Sequence, residues 1–154
     1  MATLRLDGEG APASAPIAAE EIALAQWRDG MRPEAGAFAL VIPNTEELAP
    51  LADAVTGAAA IVLEFPAFMD GRAYSQARVL RERLGYRGEI RARGALVPDQ
   101  ALFMARAGFT ALEIGDADPA PFLDALQAYS VFYQYAADAA LPAHLLRARR
   151  REAA

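Results

Sequence analysis

Four short apolar runs recur along the chain, and each leads into a stretch with a helix's period. Ala37-Phe-Ala-Leu-Val-Ile42 is apolar throughout and stops at Pro43, the pattern of a buried strand. Asn44 then stands as a helix N-cap with Glu47 three residues on, as in a capping box. Leu48, Leu51, Ala52 and Val55 share one helical face, and Gly57 ends it. Ala60-Ile-Val-Leu-Glu-Phe65 is the second strand, closed by Pro66. Asp70 caps a helix predicted to run to Leu84, with Ala73, Ala77, Leu80 and Leu84 inward and Gly85 as its stop. Glu89-Ile-Arg-Ala-Arg93 is the third strand, and Pro98-Asp99 opens a helix that Gly108 closes. Phe109-Thr-Ala-Leu-Glu-Ile114 is the fourth, and Asp118-Pro119 starts a last helix predicted to reach about Tyr133.

Repeated strand–helix units imply parallel strands with right-handed crossovers, hence an α/β fold. Two architectures compete: a half (β/α)8 barrel of four units, and an open doubly wound sheet. The single α/β domain spans residues 37–135. Residues 1–36 form an N-terminal arm, with a strand at Thr3–Leu6, a Gly/Pro/Ala/Ser turn region, helical composition at 17–28, and Trp27 as an anchor onto the body. Residues 136–154 form an Ala/Arg-rich tail of partly helical character. Ligand groups in such folds belong at the C-terminal strand ends, here Pro43-Asn44, Phe65 to Arg72, Arg93 to Pro98 and Gly115 to Asp118.

Strand alternation separates two faces. Ile61, Leu63, Phe65, Ile90, Ala92, Leu112 and Ile114 face the helices, which leaves Glu64, Arg91, Arg93 and Glu113 on the other side. Parallel sheets normally read as apolar on both faces, so these four need partners or a wet cavity. The favoured reading is a satisfied ion network. The sharper one is an anion site built on arginine forks, which suit carboxylate, phosphate, sulfite or sulfate. The half barrel accommodates such a face better than a doubly wound sheet, and a polar concave face also admits a homodimer.

The link from the second strand to its helix is the densest stretch. Arg72 and Arg78 join Arg91 and Arg93 as candidate anion contacts. Asp70, Glu64 and Tyr74 are the candidate acid/base groups, although capping explains Asp70 and core packing explains Tyr74. Ser75 lacks the GxSxG elbow of a nucleophile, and no GxGxxG or GxxxxGK[ST] stretch is present.

Composition narrows the chemistry. The chain of 154 residues contains 38 alanines, no cysteine and no lysine, and its net charge is −5. Without cysteine there is no disulfide, thiolate zinc site, cysteine-ligated cluster or cysteine nucleophile. A single histidine, His144, leaves no His-rich metal site. The acidic balance argues against nucleic acid as a partner. The longest strongly apolar stretch, Ala58 to Leu63, is far shorter than the ~20 residues of a membrane span. With no signal-peptide pattern at its start, the chain is expected in the cytoplasm.

The string Phe65-Pro66-x-Phe68-x-Asp70-Gly71-Arg72-x-Tyr74-Ser75-x-Ala77-Arg78-x-Leu80-Arg81 resembles an uncharacterised bacterial family labelled as oxidoreductases of sulfite reduction. The resemblance continues through Gly85-Tyr86-x-Gly88-Glu89-Ile90-Arg91-Ala92-x-Gly94, then Asp99-Gln100 and Gly108-Phe109. It covers residues 38 to about 135. It implies a role in assimilatory sulfite reduction beside a sirohaem-type sulfite reductase. Members often carry a cysteine just before the Gly-Phe pair; here that position is Ala107, which weakens a thiol-based redox reading.

Three functions follow, in order of preference. The first is an accessory protein that binds sulfite reductase or its electron donor and needs no cofactor of its own. The second is a small anion-binding enzyme of that pathway, with Arg72, Arg78, Arg91 and Arg93 as contacts. The third is an oxidoreductase holding a flavin or nicotinamide non-covalently, for which the sequence offers no motif.

Overall fold

The structure is a computed structural model that describes residues 2–6, 12–13, 19–137 and 140–152. Its strands are β1 (Ala2–Arg5), β2 (Pro12–Ala13), β3 (Glu20–Ala23), β4 (Phe38–Ile42), β5 (Ala60–Phe65), β6 (Glu89–Gly94) and β7 (Ala111–Gly115). They form one mixed sheet in the order β2-β1-β7-β6-β5-β4-β3. β3 to β7 are mutually parallel, and β1 and β2 close one edge antiparallel. The order of the five parallel strands never reverses, so it matches the half barrel and lacks the reversal that a doubly wound sheet requires.

The helices are α1 (Leu24–Arg28), α2 (Ala52–Gly57), α3 (Arg72–Arg78), α4 (Ala101–Ala107), α5 (Ala120–Leu126) and α6 (Ala143–Glu152). Short 3-10 turns at Ala49–Leu51 and Pro98–Gln100 lead into α2 and α4, and a π turn at Val79–Arg83 extends α3. One face of the sheet packs on α1 to α5. Leu40, Ile61, Leu63, Ile90 and Leu112 are fully buried there with Ala73, Ala77 and Leu80 of the α3 segment and Met104 of α4. Each large aliphatic side chain buried this way stabilises the fold by roughly 1.5–3 kcal/mol. Trp27 stacks on Phe38 at 5.4 Å, the anchor expected of it.

Several local expectations are corrected. Residues 20–23 form a fifth parallel strand, and helix occupies only Leu24–Arg28 of the stretch expected to be helical. The alternation is real but thin: Ile22 alone of β3 is buried on the helix face, while Glu21 turns to the other side. The described strands of residues 1–36 thus complete the sheet at both edges. The remainder of the N-terminal turn region lies outside the described residues. Asn44 is not an N-cap, because the helical turn begins at Ala49 with Pro50 in its first positions. The last crossover helix stops at Leu126, not near Tyr133; the aromatic and β-branched run that follows has low helix propensity. The tail is helical over Ala143–Glu152. No helix of the described residues is long and apolar enough to cross a membrane.

Candidate functional site

The face away from the helices has a floor of small side chains, Ala39, Ala60 and Val62, flanked by charge. Glu89 and Arg91 of β6 and Glu113 of β7 are almost wholly buried at their side chains. Burial of ions demands pairing, and the pairing is dense. Arg91 donates to Glu89 Oε1 at 2.9 and 2.5 Å and to Glu113 Oε1 at 3.3 Å. Arg93 donates to Glu113 at 2.5 and 2.9 Å and to Glu21 at 2.9 and 2.5 Å. Arg5 lies 3.8 Å from Glu89. Hydrogen bonds donated to Glu113 and then to Glu21 hold the Arg93 guanidinium firmly protonated, and Arg93 lowers the Glu21 pKa in return.

The Arg93–Glu21 pair also spans the sheet. β3 and β6 are separated by two strands, which in a flat sheet puts them about 14 Å apart. An extended arginine and an extended glutamate together bridge such a span, so the pair ties β3 to β6 across the Ala/Val floor.

At the C-terminal ends of β4, β5 and β6 a cleft of about 420 Å³ opens beside the network. Its lining includes Pro43, Asn44, Thr45, Glu64, Arg72 and Arg93. Gly94 is forced here: its φ is +115° and a Cβ would collide with the Phe65 carbonyl. Asp70 takes up Arg72, accepting from its guanidinium at 2.9 and 2.6 Å. Arg72 and, secondarily, the Asn44 amide hold the Asp70 carboxyl well below the usual carboxylate range. Asn44 Nδ2 is buried and, among the described residues, meets strict hydrogen-bond geometry with none. Gln76 donates from Nε2 to the Pro43 and Glu46 carbonyls, both at 2.9 Å, and its buried Oε1 has no partner.

The arginines read as one anion set are therefore not one set. Arg72 and Arg93 reach the cleft, each already paired with carboxylates. Arg91 is sealed in the network, and Arg78 pairs with Glu82 on the exposed side of its helix. Of the acid/base candidates, Glu64 lines the cleft, Asp70 stands beside it, and Tyr74 is elsewhere. Tyr74 packs edge-on against Phe65 at 5.3 Å, and burial pushes its pKa up to about 12. Ser75 is exposed, and no group of three metal-ligating side chains converges among the described residues.

Other residues of the long motif prove architectural. Arg81 donates to the carbonyls of Gly108, Tyr86 and Gly88 at 2.8–2.9 Å. Tyr86 donates to Ala58 O at 3.1 Å, and its ring leaves no room for a side chain at Gly88. Gly71 precedes α3, and Gln100 ties the start of α4 to Phe68 O at 3.5 Å. Asp99, Phe68 and Pro66 are exposed. Glu21, Arg5 and Gln76 lie outside the expected site residues, while Asn44 stands at a ligand-bearing strand end as expected but caps no helix. Only Arg5 carried a usable signal, since it alternates with Leu4 and Leu6 in the strand expected at Thr3–Leu6.

A family description, bacterial protein of unknown function (DUF934), matches residues 39–144 of the chain. No curated protein and no solved structure matches it.

Proposed function

The chain belongs to this bacterial family of unknown function, DUF934, and we propose that it is an accessory protein of assimilatory sulfite reduction that docks onto sulfite reductase or its electron donor. The pathway comes from the sequence resemblance. The docking role is supported by one structural observation: exposed aromatic and sulfur side chains gather around α4. At its start, Gln100 bonds the loop that carries Phe68 and Met69, which are 51% and 86% exposed, and Phe103 lies one turn on. At its end, Arg106 donates to Gln134 O at 2.8 Å and accepts from Ala137 N at 3.0 Å. Those bonds tether the segment holding Tyr129, Val131, Tyr133 and Tyr135, all largely exposed. Tyr, Phe and Met are the residues that interface cores favour, and such a concentration on a surface marks an interaction site. The internal pairing of the arginines weighs against the anion-binding enzyme.

Co-purification with sulfite reductase from the native host tests the reading. Wild-type protein is expected to retain the reductase or its donor, and Phe103→Ser with Tyr133→Ser to release it without loss of fold. Deletion of the gene is expected to impair growth on sulfate as sole sulfur source. Unimpaired growth removes the pathway assignment, and retention unaffected by both substitutions removes the surface.

A further inference from the structure

Among the described residues, the charges on the face away from the helices do not balance. The ion pairs there join three carboxylates, Glu21, Glu89 and Glu113, to three guanidiniums, Arg5, Arg91 and Arg93. Glu64 is a fourth carboxylate on the same face and the register partner of Arg93. Four of the five N–H groups of Arg93 are already donated to Glu21 and Glu113. The other cation on the cleft, Arg72, is neutralised by Asp70. Glu64 is half-buried and has no hydrogen bond or ion pair among the described residues, so the cleft carries one uncompensated negative charge.

We infer that this cleft binds an organic ammonium group, with Glu64 as its counter-ion. A carboxylate partly withdrawn from water and left unpaired gains from a charge-assisted hydrogen bond, whereas an anion entering here would meet Glu64 with both nearby guanidiniums already engaged. An ammonium offers three donors, and the Thr45 hydroxyl adds a second acceptor on the lining. Pro43 and Pro66 supply apolar walls for the methylenes that carry the charge. The cleft volume of about 420 Å³ suits a small amine or the end of a lysine side chain. This inference does not depend on the sulfite-reduction reading.

The test is an amide NMR titration of the full chain with n-butylammonium chloride, with sodium chloride and sodium sulfate as matched controls. Saturable shifts at Thr45, Glu64 and Gly94 are expected with the amine alone, and binding at least tenfold weaker in Glu64→Gln. Either no saturable shift at these amides, equal affinity in Glu64→Gln, or saturation by sulfate overturns the proposal. Nα-acetyl-lysine amide separates the sources. Tighter binding than butylammonium assigns the group to a lysine side chain, and weaker binding to a free amine; either upholds the ammonium site. The thermal midpoint of Glu64→Gln is a separate readout. It is expected to equal or exceed wild type, and a clear fall would make Glu64 a structural group and contradict its role as a spare counter-ion.

Discussion

At the N-terminal ends of β5, β6 and β7, one guanidinium, Arg81, satisfies three carbonyls, and the Tyr86 hydroxyl satisfies a fourth. At the C-terminal ends of β4 to β6, Glu64 carries a carboxylate unpaired among the described residues, and Asn44 Nδ2 and Gln76 Oε1 are buried with no partner among them. Both ends draw on the same stretch of sequence motif, yet one spends its side-chain donors on carbonyls and the other leaves bonds open. In strand–helix repeats the N-terminal end carries stability and the C-terminal end carries ligands. Where polar groups are left over therefore says more about function than where they are dense. The network of Arg91 and Arg93 is dense in charge, but its donors are largely spent on carboxylates, as those of Arg81 are on carbonyls.

The largest expected effect tests that assignment. Arg91→Leu takes both hydrogen bonds from the buried Glu89 and one of three from Glu113, and should cost about 3–5 kcal/mol, a fall in thermal midpoint of roughly 10 °C. Calorimetry checks it, and a midpoint within a degree or two of wild type would mean that the network is not closed. Arg81→Ala comes next. It removes donors from three carbonyls and should cost about 2–3 kcal/mol in urea unfolding, with little change at the cleft. Cleft amides that moved as much as those near Gly108 would erase the distinction between the two ends.

A smaller effect lies in acid. Arg93 lowers the folded-state pKa of Glu21, so the pair's contribution is fully present above the unfolded value of about 4.3. It is lost as pH falls below that value toward the folded pKa. Thermal midpoints between about pH 6 and pH 3 should therefore fall less steeply in Glu21→Gln than in wild type. Parallel curves would take Glu21 out of the network.

Strands β4 to β7 were legible because each apolar alternation ends at a proline or glycine, which fixes both parity and length. Parity placed Glu64, Arg91, Arg93 and Glu113 on one face correctly. It could not say which of them pair. Glu21 completes the network from a strand 72 residues away from Arg93, and only the sheet order brings the two together. β3 escaped notice because a two-glutamate start hides a single buried isoleucine. Asn44 matched a capping pattern that Pro50 overrode, and Gln76 gave no sign in the sequence that its amide would pin the β4 loop. Glu64 and Glu113 look alike as lone glutamates in apolar strands; packing alone makes one a partner and the other a remainder.

That pair carries the central claim, and equilibrium urea unfolding of Glu113→Gln beside Glu64→Gln measures it directly. Glu113 accepts from both Arg91 and Arg93, so its replacement should cost about 3 kcal/mol, while replacement of Glu64 should cost nothing. Equal losses, or a greater loss at Glu64, would contradict the division of this face into a closed network and an open cleft.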